Sequence, residues 1–219
     1  MKDFDIEDWM KAFTAALLAA FGDRLVFVGL QGSYARGEAG PGSDIDAVVI
    51  FSALDGAVLD AYEKLAGAQP RRELLCGFVS DEATLRAWDQ ADLFQFYYDT
   101  KPFFGRLDAL LTPPTRADAA RAAHTGACGL YHACCHNLLH EKSPDLLAEL
   151  YKNVRFVLTA CVFARTGQYV SRKEDLSAWL RPEERPLLEP AGTMDEAEFR
   201  RRSLQLLEHT GALVRELRP

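Results

Sequence analysis

Gly29–Phe51 reads GLQGSYARGEAGPGSDIDAVVIF, and the rest of the chain is organised around it. An apolar run, Leu25–Leu30, leads in and ends at Gln31-Gly32-Ser33. A glycine-rich segment, Tyr34 to Gly42, follows. Ser43-Asp44-Ile45-Asp46 then opens a second apolar run, Ala47 to Phe51. Both runs are short, β-branched or aromatic, and bounded by glycine, so both read as buried strands. Side chains alternate across a strand, so Asp44 and Asp46 share one face and Ile45 points into the core. Two carboxylates held side by side repel unless a cation lies between them. Hard oxygen donors at this spacing suit Mg²⁺, which takes a few carboxylates and completes its shell with phosphate and water. Gly32 removes a side chain where a phosphate would approach the backbone. Ser33 brings a hydroxyl and an N–H to what reads as a helix start, where anions bind. A phosphate cradle next to paired carboxylates is an arrangement for metal-assisted transfer from a nucleoside triphosphate.

Gly32-Ser33, Arg36-Gly37-Glu38-Ala39 and Ser43-Asp44-Ile45-Asp46 together resemble the GS…D-x-D signature of the DNA polymerase β-like nucleotidyltransferase superfamily. The resemblance implies a small mixed-sheet catalytic domain, ATP as co-substrate, and magnesium, as two ions, on Asp44 and Asp46. It implies a third carboxylate on the strand after the next helix. Glu73 is the candidate, as metal ligand and general base, with Asp99 as its rival. Gly32, Ser33, Arg36 and Ser43 become candidate nucleotide contacts; for Arg36 the alternative is a turn arginine paired with Glu38.

Composition bounds the partners. The chain has 219 residues, is 48% hydrophobic and carries a formal net charge of −7. That balance disfavours a nucleic-acid surface, which needs a basic face, and leans toward a cationic or amine-bearing small molecule. The N-terminus is acidic and amphipathic rather than basic then apolar, and no apolar run is long enough to span a bilayer, so neither a signal peptide nor a membrane anchor is expected. Five cysteines, two of them adjacent (Cys134-Cys135), fit reduced thiols in a cytoplasm.

Ile6, Trp9, Met10, Phe13 and Leu17 recur at helical spacing in residues 3–21, with Asp3 or Asp5 as N-cap. Asp55 caps a helix through Leu65. A third strand is expected over Glu73–Val79, a short helix over Asp81–Asp89, and an aromatic fourth strand over Leu93–Tyr98. The aromatics there and at Pro102–Gly105 are either core or a stacking surface. Thr112-Pro113-Pro114-Thr115 marks a boundary, giving a catalytic domain at 1–112 and an α-helical domain at 113–219. Helices are expected over Arg116–His140, from Ser143-Pro144 to Gly167, from a Ser171–Glu174 capping box through Leu180, and over Asp195–Leu217, with prolines 182, 186 and 190 punctuating a connector. His132, His136 and His140, with Cys128 a turn earlier, are too spread for one metal ion, so a polar seam facing the catalytic cleft is expected.

Phe156–Leu180 resembles the C-terminal helical domain of aminoglycoside adenylyltransferases of the streptomycin/spectinomycin class. That implies that Lys173 reaches the triphosphate. The fold expected is therefore α/β, a small mixed sheet followed by a helical bundle, with the active site in the cleft between them. The reaction expected is AMP transfer from ATP to a small hydroxylated acceptor. Protein or RNA modification of the toxin–antitoxin type, and a non-catalytic nucleotide-binding module, are the alternatives.

Overall fold

A computed structural model describes residues 4–189 and 194–217. The chain divides into two compact units: Met1–Asp89 with Phe96–Pro113, and Gln90–Gln95 with Pro114–Pro219.

The first unit opens with α1 (Ile6–Phe21), whose N-cap is Asp5; its carboxylate accepts from the Glu7 and Asp8 N–H groups. The other candidate cap, Asp3, lies outside the described residues. Next come β1 (Leu25–Leu30), the short α2 (Gly32–Arg36), β2 (Ile45–Phe51) and α3 (Gly56–Gly67), capped by Asp55 on the Val58 N–H at 2.8 Å. Then follow β3 (Leu75–Asp81), α4 (Glu82–Arg86), α5 (Gln90–Asp99), of which only the part from Phe96 belongs to this unit, β4 (Lys101–Phe104) and α6 (Leu107–Leu110). The sheet order is β3-β2-β1-β4; β1 is antiparallel to both neighbours, and β3 runs parallel to β2. A parallel pair needs a crossover, and α3 supplies it. Alternate residues of β2, from Ile45 to Phe51, join Trp9, Met10, Phe13 and Leu17 of α1 in one buried core. Each such fully buried large side chain contributes about 1.5–3 kcal/mol relative to exposure.

Three expectations for this unit are corrected. Leu93–Tyr98 is not a strand but part of α5. Leu93, Phe94 and Phe96 are all buried, so the run is apolar on more than one side and hides its period; Asp92 and Gln95, at i and i+3, are the helical signal. The fourth strand is Lys101–Phe104 instead. Pro102 fits there because β4 is an edge strand, where a missing N–H need not break a ladder. The third strand starts at Leu75. Arg71 takes a left-handed backbone (φ 58°) that begins a 3₁₀ turn over Arg72–Leu74, so Glu73 sits in that turn and not in the strand.

The second unit contains α7 (Arg116–His136), α8 (Pro144–Thr166), a single turn α9 (Lys173–Leu176) and α10 (Glu196–Glu216). Thr115 and Asp118 close a capping box on α7. Ser143 caps α8 with Pro144 at its first position, and Gly167 ends it in the left-handed region. Ala119, Ala123 and Ala127 form a buried stripe of small side chains on α7. A Cβ at Gly126 would lie 2.8 Å from Val157 Cγ2, so α7 and α8 approach too closely there for a larger residue. Two boundaries differ from expectation. The predicted helix to His140 ends as α-helix at His136 and continues as one wider turn, Asn137–Glu141. There the buried Asn137 carboxamide bonds both the N–H and the C=O of Ser143, each at 2.9 Å. The capping box at Ser171 does not form: Arg172 is the N-cap residue and makes no side-chain cap bond. The Ser171 carbonyl instead accepts from Arg155. Within the connector, Pro190 lies outside the described residues.

Candidate active site

Two segments of the first unit meet at Gly32. Its φ is +69°, and a Cβ built there would lie 1.8 Å from Asp46 Oδ2. No side chain fits beside that carboxylate. The Gln31 N–H also donates to the Asp46 carbonyl at 2.8 Å, stitching the start of α2 to β2. The Gln31 side chain turns away from α2: Nε2 donates to Thr100 Oγ1 at 2.6 Å and to the Phe96 carbonyl at 3.3 Å. The N-terminal turn of α2 is therefore without a side-chain cap, and it begins at Gly32 and Ser33. Such N–H groups are the ones an anion satisfies.

Asp44 is exposed, Ile45 is fully buried and Asp46 is half-buried. Burial pushes the Asp46 carboxyl above its ordinary value, the charge of Asp44 pushes it further, and Arg36 opposes both. Asp44 and Asp46 thus feel each other as like charges, and a cation would relieve them. Arg36 ends α2. Its Nη1 donates to Asp99 Oδ2 at 2.5 Å and its Nε to Glu38 Oε2 at 3.1 Å. Burial works against the Arg36 charge, yet Asp99 and then Glu38 hold its guanidinium above the usual value. Of the two readings of Arg36, the pairing with Glu38 is present, and its charge also acts on Asp46. Ser43 Oγ accepts from the Gly40 N–H at 2.9 Å and closes the turn that delivers Asp44.

Glu73 is exposed. The parallel register Ile45↔Leu75 puts its turn at the same end of the sheet as Asp44. Among the described residues, no group of three His, Cys, Asp or Glu side chains is arranged to hold a metal ion. Asp44 and Asp46 offer hard carboxylate oxygens, the donor type that Mg²⁺ takes. The same register sets Cys76, an exposed thiol, directly opposite Asp46. Sequence reading passed over Cys76, as it did Gln31 and Thr100. Only for Gln31 was there a signal, its place immediately before the Gly-Ser pair.

The second unit has its own features. Lys173 is the first residue of α9 and is partly buried. His132, His136 and His140 are exposed, with the His136 and His140 rings 5.0 Å apart. A cavity of about 350 Å³ lies among α7, α8, Tyr169 and the Gln90–Gln95 segment. Phe94, Phe156 and Tyr169 wall it, Asp92, Gln95 and Asn153 add polar groups, and among the described residues no lysine or arginine lines it. Among the described residues no helix is long and apolar enough to cross a membrane.

Residues 15–114 match the family model of the nucleotidyltransferase domain. Among solved structures, spectinomycin adenyltransferase AAD(9) from Enterococcus faecialis, determined with ATP and spectinomycin, is similar over 98% of this chain and 100% of its own. The identity is 14% and the TM-score 0.58. This likeness extends through both units and supports the expected α/β architecture. A toxin–antitoxin structure with AMP-PNP covers 60% of this chain and 96% of its own at 19% identity, with a TM-score of 0.34. No curated protein matches.

Proposed function

We propose that this enzyme, whose residues 15–114 match the nucleotidyltransferase domain model, transfers AMP from ATP to a hydroxyl of a small molecule. The observation that carries the reading is the fit of Gly32 against Asp46: an uncapped helix start, bare of side chain, laid directly on one of two mutually repelling carboxylates. Asp44 and Asp46 would hold Mg²⁺, which supplies positive charge against the triphosphate. The N–H groups at Gly32 and Ser33 face its β and γ phosphates. Arg36 adds a fixed cation one turn along α2, and Ser43 holds the loop before Asp44. The acceptor oxygen bonds to the α-phosphorus as the bond to the β-phosphate oxygen breaks, and pyrophosphate leaves. Glu73 takes the hydroxyl proton; its exposure leaves it reachable by an acceptor. Lys173 acts as a point charge on the phosphates. The chain's part is positioning and charge compensation rather than covalent chemistry.

A small acceptor is supported by the net charge of −7, which favours an amine-bearing partner. An aminoglycoside-like compound, amine-bearing and rich in hydroxyls, suits that charge. The structurally similar adenyltransferase was solved with spectinomycin, which adds weight to this choice.

Purified protein is to be incubated with α-labelled ATP, Mg²⁺ and a clarified lysate, with and without added spectinomycin or streptomycin. Label is expected in a small-molecule fraction with stoichiometric pyrophosphate. Label in a macromolecular band would replace the acceptor class, and ATP affinity indifferent to magnesium would remove the metal assignment.

A further inference from the structure

We propose that Asp99 is a positioning residue for nucleotide binding: its buried carboxylate holds the Arg36 guanidinium beside the Gly32–Asp46 contact, where it meets the triphosphate. This rests on the reading above, in which the triphosphate lies at Gly32 and Ser33.

The segment Phe96–Thr100 touches the strand and helix that carry the Gly-Ser pair at three places. Thr100 Cγ2 fills the space a Cβ of Gly29 would need, at 2.6 Å. Thr100 Oγ1 and the Phe96 carbonyl take the Gln31 carboxamide, and Thr100 Oγ1 in turn donates to the Phe96 carbonyl. Asp99 takes Arg36. The first two links already fix the entry to α2, so the third is not needed to place that helix. Asp99 gives the Arg36 side chain its direction.

That side chain ends the five-residue helix that Gly32 opens. Gly32 abuts Asp46 Oδ2, and the Arg36 charge acts on that same carboxylate. Asp99 reaches Arg36 with a carboxylate only 5% exposed, and the Arg36 side chain is 11% exposed. Carboxylates are seldom buried so far for a surface turn, because removing them from water costs several kcal/mol before any pairing. Among the described residues, only two of the five guanidinium N–H donors are committed, one at Nε to Glu38 and one at Nη1 to Asp99. A planar fork pinned at two points presents its remaining donors in a set direction, which is how arginine recognises phosphate. Asp99 was also the rival candidate for a third metal carboxylate. Its bond to Arg36 gives it a different part.

The test is a double-mutant cycle read as MgATP dissociation constants by calorimetry, with melting temperature and circular dichroism recorded for each variant. Asp99→Asn is expected to weaken MgATP binding roughly tenfold, as loss of a charge-assisted contact does. Arg36→Ala is expected to weaken it at least as much. In the Arg36→Ala background, Asp99→Asn should change nothing further. The magnesium concentration giving half-maximal binding should be unchanged in Asp99→Asn, whereas a metal ligand would shift it. Should Asp99→Asn not fold, Asp99→Glu keeps the charge but moves it by one methylene, and roughly threefold weaker MgATP binding is expected. Multiplicative effects in the cycle, a shifted magnesium requirement, or unchanged affinity in either Asp99 variant would overturn the proposal. Absence of MgATP binding by the wild type would instead overturn the reading on which it rests.

Discussion

Arg36 with Asp99 in the first unit and Arg165 with Glu184 in the second resemble each other in distance and in burial of the acid, yet their hydrogen bonds differ. Arg165 meets Glu184 through two parallel bonds, at 2.7 and 2.9 Å, and Glu184 Oε2 also accepts the Arg181 N–H at 2.9 Å. That acid is satisfied from within its unit. It ties the end of α8 to the connector after α9. Arg36 is instead divided between two acids with one bond to each, and its charge is felt at Asp46. A pair closed on itself holds a fold. A cation shared by two acids beside a third is placed for something that arrives later. Each guanidinium commits two of its five donors, so the difference teaches that where those bonds go, both to one acid or one to each of two, separates the two kinds of buried pair better than distance does.

The comparison can be broken or sharpened by substitution. The largest effect is expected from Asp46→Asn, which should lower AMP transfer about a thousandfold or more while leaving the circular dichroism unchanged. Near-wild-type turnover by the purified variant would end the metal assignment. Glu184→Ala should do the reverse. Leaving Arg165 buried without its partner is expected to cost about 3–5 kcal/mol in urea unfolding, with MgATP affinity of the folded protein intact. If a fully folded Glu184→Ala protein lost MgATP binding, the contrast between the two pairs would fail. Gly32→Ala falls between these cases. The left-handed backbone costs about 1–2 kcal/mol, and the new methyl must displace the Asp46 carboxylate. Weaker MgATP binding is therefore expected alongside a melting temperature lower by about 2–4 °C per kcal/mol. The smallest effect concerns pH. Asp46 has a native pKa raised above 3.8 by burial and by Asp44, so its contribution favours the folded state below the unfolded value. That contribution is lost as pH rises through the raised native value. Metal-free wild type should thus lose stability across that window relative to Asp46→Asn in urea titrations run at stepped pH. The loss is small, because water screens a half-buried carboxylate. Added magnesium should erase the difference. Parallel pH–stability curves without magnesium would count against the like-charge reading.

Local signals carried much of the architecture. Asp55, Ser143-Pro144, Gly167 and Asp195 announced helix ends because a cap is chemistry between near neighbours. β1 and β2 were legible from apolar runs bounded by glycine, and the Gly32-Ser33 and Asp44–Asp46 elements from their spacing. The Leu93–Tyr98 run misled because aromatics buried on several sides leave no period to count. β4 was hidden by Pro102, whose presence argues against a strand until the strand is known to lie at an edge. Glu73 was put in a strand because nothing in Arg71 signals a left-handed backbone. Gly32 was read as making room for a phosphate, whereas the nearest thing it makes room for is Asp46. The partnership of Arg36 with Asp99 spans 63 positions, and no local pattern encodes it.

The 1.8 Å approach between the would-be Cβ of residue 32 and the carboxylate of residue 46 also constrains how this sequence can drift. Any side chain gained at position 32 forces position 46 to shrink or move, and an aspartate at 46 permits only glycine at 32. The two positions are expected to change together or not at all, so a descendant that has lost the acid is where an alanine or serine should first be found in the turn.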